Sequence, residues 1–290
     1  MAETAKARYA KMKAKRDPYL RRARDCAELT IPYLMPPEGH NEHSVMPEPY
    51  QGLGARAVVS LSARLMVAMY PPGKPSFKLD IPPEARIAQG EMALGSDVVQ
   101  GLVLSEQLIQ AEIERKQWRR ATNLVLQYLL VTGNALEMMQ PDNSIRVFRL
   151  DQYCVSRDIT GAVKEIITEE YLSPEALPES ARKLVAADDF SQNSVPLYTH
   201  CKMDRDGVFV CYQEINGKKV AGSEGRYETL PYNALRYTSV IGEDYGRGKV
   251  DEHLPDLRTV DALSKSMLDG AAMASRNVTM IRPNAAGGLN

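Results

Sequence analysis

No run of this sequence stays apolar for long enough to cross a bilayer. The longest nearly uninterrupted one, 124–131, falls well short of the roughly 18 residues a membrane helix needs, and Gln127 and Tyr128 interrupt it. A basic excess is lacking too: 36 Lys and Arg stand against 37 Asp and Glu, for a net charge of −1. That balance argues against a protein that grips nucleic acid tightly. The four cysteines, Cys26, Cys154, Cys201 and Cys211, contain no C-x-x-C pair. Neither a disulfide framework nor a zinc site is indicated, and all four are expected as free thiols. The opening stretch MAETAKARYAKMKAKR has none of the apolar character of a signal peptide. A cytoplasmic, reducing setting without membrane contact is the expectation.

The signatures of catalysis are missing as well. There is no G-x-x-x-x-G-K-[ST] phosphate loop, no G-x-S-x-G elbow and no H-E-x-x-H helix. The nearest fragment to a phosphate loop, Asn216-Gly217-Lys218-Lys219, reads as a hairpin turn. His40 and His43 lie in a Pro-rich loop beside Glu38 and Glu42, and His200 and His253 are isolated. A metal held around His40, serving a hydrolase, is the sharper alternative to a plain solvated loop. No aromatics interleave with basic residues as on a single-strand-binding surface. No enzyme, cofactor or metal is expected.

What is present is an ordinary globular composition, 44% apolar and 25% charged over 290 residues, enough for a full core. Residues 3–30 read as helical, with Asp17 and Pro18 suggesting a second start inside the segment. This segment is basic, and Lys11, Lys13, Lys15, Arg16, Arg21 and Arg22 form a candidate contact surface for DNA or an acidic neighbour, against the plainer reading of a solvated helical face. Helices follow over 54–70, where Ala57, Leu61, Leu65, Ala68 and Met69 read as the core face, then from Pro83 to about 113, with Gly90, Gly95 and Gly101 interrupting, and over 119–131. Trp118 and Tyr128 are expected in a core. The last of these helices should end at Gly133 in a left-handed cap.

The period then changes to two. Strands are predicted at 135–139, 145–150, 153–157, 163–171, 197–203, 208–215 and 218–221, as a meander, with a short helix from Ser173-Pro174 to about Ala186. A final helix over 247–276 is broken and restarted at Pro255. Along it Leu257, Val260, Leu263, Met267 and Ala271 form a narrow stripe, while Ala262, Ser266, Gly270 and Ala274 form a small second face. The fold class is α+β, without internal repeats.

Six collinear stretches resemble the portal, or head-to-tail connector, proteins of short-tailed bacteriophages. They are CAELTIPYLMP (26–36), GARAVVSLSARLMVAMYP (54–71), VTGNALEMM (131–139), FRLDQYCVSRDITGAV (148–163), LYTHCKMD (197–204) and DYGRGKVDEHLPDLRTVDAL (244–263). The resemblance implies a wing over 1–245, a stem helix over 246–276 and the start of a clip over 277–290. The remaining clip, a second stem helix and a crown are absent, so a truncated chain is expected. It further implies a homo-oligomeric ring, dodecameric in the family, at the portal vertex of the virion after assembly in the host cytoplasm. The ring would pass double-stranded DNA and meet major capsid and scaffolding proteins, terminase and a tail adaptor. The stem residues Leu257, Val260, Leu263, Met267, Gly270, Ala271 and Ala274 would pack the ring. Another virion or adaptor protein, a metal-dependent hydrolase and a DNA-binding module remain the rival readings.

Overall fold

In a computed structural model, residues 3–41, 43–72, 74–82, 84, 96–185 and 194–276 are described. The fold is α+β: helices α1 (Ala5–Glu28), α2 (Leu53–Met69), α3 (Ser96–Arg115) and α4 (Trp118–Thr132) precede the strands. Strands β1 (Asn134–Met139), β2 (Ile145–Phe148), β3 (Tyr153–Arg157) and β4 (Val163–Leu172) come next. After the one-turn helix α5 (Glu179–Arg182) follow β5 (Val195–Met203), β6 (Phe209–Ile215), β7 (Lys218–Lys219), β8 (Gly225–Tyr227) and β9 (Tyr232–Arg236). The described chain ends in α6 (Lys249–Glu252) and α7 (Leu254–Ala274).

The strands form two antiparallel sheets, where a single meander was expected. One has the order β2-β1-β9; the other runs β3-β4-β5-β6-β7, with β8 also pairing β6. β8 and β9 are additions to the sequence reading, and β9 pairs with β1 from about a hundred residues away. Strand alternation gives the larger sheet two apolar faces. Tyr153, Val155, Ile166 and Cys201 join the main core with α1, α4 and the root of α7, while Cys154, Ile167 and Tyr198 pack beneath Ala5, Tyr9 and Met12 of α1. A satellite cluster around Leu177, Leu197 and Ile215 closes the far end.

Several expectations are corrected. Pro18 does not divide the first helix; α1 is continuous, and Thr4, not Asp17, caps it by accepting a hydrogen bond from the Ala7 amide at 3.2 Å. α2 buries Gly54, Val58 and Ser62, leaving Ala57, Ala68 and Met69 exposed. The start of the small face is set by the turn that follows α1: a Cβ on Gly54 would meet the Leu29 carbonyl and the Thr30 side chain. Cys201 and Cys211, register partners across β5 and β6, are joined in a disulfide, so only Cys26 and Cys154 are free. Burial pushes the Cys26 thiol up to about 12 and the Cys154 thiol up to about 11, as befits inert core residues. The short helix expected at 173–186 is a 3-10 turn, Pro174–Ala176, followed by α5. Pro83, Gly90, Gly95, Ala186 and the clip start at 277–290 lie outside the described residues.

Other readings hold. Gly133 ends α4 in the left-handed region at φ 75°, and Asn216 and Gly217 turn the β6–β7 hairpin at φ 50° and 75°. Pro255 sits in the first turn of α7, after a break from α6 at His253. Tyr128 is buried as expected, whereas Trp118 is half-buried and its indole N–H donates to the Asn143 carbonyl at 2.8 Å.

Candidate functional site: a projecting helix and the joint at its root

α7 leaves the body of the protein almost at once. Val250 and Leu254 are buried and Leu257 packs against the core, but every described residue from Lys265 onward is exposed. Its surface is inverted relative to an ordinary amphipathic helix. Arg258, Asp261 and Lys265, at spacings of three and four, face the body: Arg258 pairs with Asp25 at 2.8 Å, Asp261 accepts the Tyr50 amide at 2.7 Å, and the Lys265 ammonium lies 5.5 Å from the Tyr50 ring centre. The opposite face from Thr259 onward, with Leu263, Ser266, Met267, Gly270 and Ala274, carries no charge. Leu263 is 59% exposed and Met267 75%. Of the predicted stripe, Leu257 and Val260 are half-buried at the root, while Leu263, Met267 and Ala271 are exposed.

The root itself is packed backbone against backbone. Gly246 and Gly248 lie against the end of α4: a Cβ on Gly248 would stand 2.7 Å from the Leu130 carbonyl oxygen, and one on Gly246 would stand 2.9 Å from the Gly133 oxygen. A Cβ on Gly133 would overlap the backbone of Arg247 and Gly248. Asn134 closes the joint. Its Nδ2 donates to the Gly246 carbonyl at 2.9 Å, and its Oδ1 accepts the Gly246 amide at 2.7 Å. All of this is buried, so each bond is costly to lose.

The segment before the joint grips the larger sheet. The Val155 amide donates to the Tyr245 hydroxyl at 3.1 Å, and the Arg157 amide donates to the Asp244 carboxylate at 2.7 Å. The Arg157 guanidinium donates to the carbonyls of Asp244, Gly161 and Ala234. Burial, with Arg236 nearby, lowers the Arg157 pKa from its ordinary value, and burial raises that of Tyr245. Three of the six stretches singled out in the sequence, 131–139, 148–163 and 244–263, therefore meet at one place.

The basic residues of α1 do not join this site. Arg16 is 2% exposed and is removed from the candidate contact surface; its Nη1 donates to the Tyr9 hydroxyl and to the carbonyls of Asp151 and Tyr153. Lys11 pairs with Glu3 at 2.6 Å, and Arg22 approaches Asp251 at 3.6 Å, which ties α1 to α6. Lys13, Lys15 and Arg21 are exposed. His40 is half-buried and His43 exposed, Glu42 lies outside the described residues, and no cluster of three metal-ligating side chains occurs among the described residues.

His200 is buried in a satisfied network that sequence reasoning left as an isolated imidazole. Its Nε2 meets the Glu165 carboxylate at 2.8 Å and its Nδ1 meets the Tyr212 hydroxyl at 2.9 Å, while Arg8 clamps Glu165 from α1. Burial pushes the Glu165 carboxyl up, but His200 and Arg8 outweigh it and hold the carboxyl at about 2. No helix among the described residues is long and apolar enough to cross a membrane.

Comparison with known proteins supports the sequence resemblance. The portal protein of Escherichia phage T7 is 32% identical over 291 residues, covering 96% of this chain and 54% of its own length. The portal protein of Enterobacteria phage T3 is also 32% identical, over 290 residues with the same coverage. That of Enterobacteria phage SP6 is 29% identical over 286 residues, 94% of this chain and 54% of its own. The chain thus spans about half the length of the curated relatives it matches. The family model described as bacteriophage head to tail connecting protein matches residues 2–290, taking in body, joint and projecting helix alike, and the chain belongs to that family.

Proposed function

We propose that this chain provides the wing (1–245) and first stem helix (246–276) of a portal subunit, with the clip beginning at 277. Copies stand around a central hole through which double-stranded DNA passes during packaging and ejection. The observation that carries this reading is the inverted polarity of α7, charged toward its own body and apolar away from it, with Met267 75% exposed. A helix presenting that face to water needs a second protein to cover it, and one heterologous contact repeated around an axis closes a ring.

The near-neutral charge suits a conduit. Each firm Lys or Arg contact to phosphate adds salt-dependent binding, and a wall that held DNA strongly would brake it. The ring is a passive channel, and nucleotide hydrolysis belongs to a separate motor. It nucleates head assembly with capsid and scaffolding proteins, docks terminase and then a tail adaptor, and sits at the portal vertex of the virion, twelve subunits being the family's number.

Electron microscopy and native mass spectrometry of the purified full-length protein test the proposal. Rings are expected for the natural sequence and monomers for Leu263→Asp combined with Met267→Asp. A natural protein that stays monomeric at high concentration would overturn it.

A further inference from the structure

The stem cannot close a ring alone. α7 has 21 residues, so at 1.5 Å per residue and about 10 Å in width one flank offers on the order of 300 Å². A stable interface takes about 800 Å² from each partner. The body has to supply the rest.

Two of its helices present exposed apolar side chains. α3 stands off as an arm: among its residues of described burial only Ile113, in the last turn, is buried. Contacts along one side steady it, with Glu106 accepting the Leu79 amide at 2.6 Å and Glu114 pairing with Arg119 at 2.8 Å. Beyond them Gly101, Leu104, Leu108 and Ala111 recur at helical spacing as one exposed ridge, Leu104 at 60% and Leu108 at 72%. The other face is the side of α2 turned away from α4. There Leu53, Ser60 and Val67 are exposed in line, flanked by Arg56 and Arg64, neither of which has a carboxylate partner among the described residues. Asp97, in the first turn of α3, likewise has no cationic partner among the described residues.

We infer that α3 of each protomer lies along the outer face of α2 in the next protomer, a second layer of the ring contact radially distinct from the stem. The occupant is another copy of this chain, and the inference rests on the ring reading above. Three observations select it. A heterologous contact needs two different faces, and α2 and α3 are two. Their lengths match, at 17 and 20 residues, and the pair brings a second flank about as large as that of the stem. Their free charges are opposite, so Asp97 of one protomer meets the α2 arginines of the next.

The test uses full-length protein with Leu108→Cys and Ser60→Cys, singly and together, treated with a bismaleimide whose spacer of about 10 Å tolerates register error. Only the double variant should give a covalent ladder, and Leu104→Asp with Leu108→Asp should raise the protein concentration needed for half-assembly at least tenfold. Circular dichroism of that variant as a monomer checks that it folds. Failure of the natural sequence to form rings would sink the ring reading itself. Rings that form but give no ladder, and that ignore Leu104→Asp with Leu108→Asp, would overturn this inference alone. So would protection of Leu108→Cys from alkylation in monomers carrying Leu263→Asp and Met267→Asp, because the ridge would then be covered by the protein's own chain.

Discussion

A side chain at position 248 would collide with the Leu130 carbonyl at 2.7 Å, yet Met267 on the same segment is 75% exposed. The joint and the free helix belong to one stretch of chain and follow opposite rules. At the joint three glycines, one buried asparagine and two gripping residues over-determine the backbone, so its geometry is settled inside the protomer. Along α7 little is settled there beyond the first three turns. The difference teaches where the molecule's order comes from: direction is set at the root by the chain itself, while the apolar face beyond it stays exposed within the protomer.

Four variants break or sharpen that contrast. The largest effect is expected at Gly133→Ala, which combines a φ of 75° with overlap on Arg247 and Gly248. It should cost on the order of 3 kcal/mol or more and show as a collapse of the thermal midpoint or as insoluble protein. Asn134→Ala should cost about 1–3 kcal/mol in chemical denaturation, because it leaves the Gly246 amide and carbonyl buried without their partners.

Third is Glu165, which fastens α1 to the larger sheet. Its folded pKa of about 2 lies below an unfolded value of about 4.3. Its contribution is therefore complete above the unfolded value and is lost as pH falls from there through the folded one. The natural protein should lose stability across that window, and Glu165→Gln should lose less there while being weaker at neutral pH. Equal acid slopes in the two denaturation series would refute the assignment. The smallest effect belongs to Leu263→Asp with Met267→Asp: monomer stability should change by less than about 0.5 kcal/mol, since these side chains are exposed in their own subunit. A large loss would mean that α7 packs at home.

Much of the body was legible in the sequence. β3 lies at 153–157 as read, and the cap at Gly133, the Asn-Gly turn and the restart at Pro255 follow from local chemistry that needs no partner. Pro18 misled because its missing amide falls on an exposed position, where α1 continues past it. The core side of α2 misled because Gly54 lies against the Leu29 carbonyl and Thr30, where no side chain fits, and Val58 and Ser62 are buried on the same side. The disulfide was within reach: a hairpin turning at 204–207 pairs 203 with 209 and 201 with 211. β9 and the joint were not, since each depends on residues about a hundred positions apart, and a Gly-Arg-Gly or a Thr-Gly-Asn alone says nothing of its partner.

The stiffness of that joint has a mechanical corollary. With a fulcrum at Gly246 and Gly248 and an arm of 21 residues beyond it, a tilt of the body by about 5° would swing the far tip by nearly 3 Å over a reach of about 30 Å. In the ring proposed above, small rotations of the outer part of each subunit would therefore be magnified at the far ends of the helices, and a concerted tilt would alter the width of the opening between them.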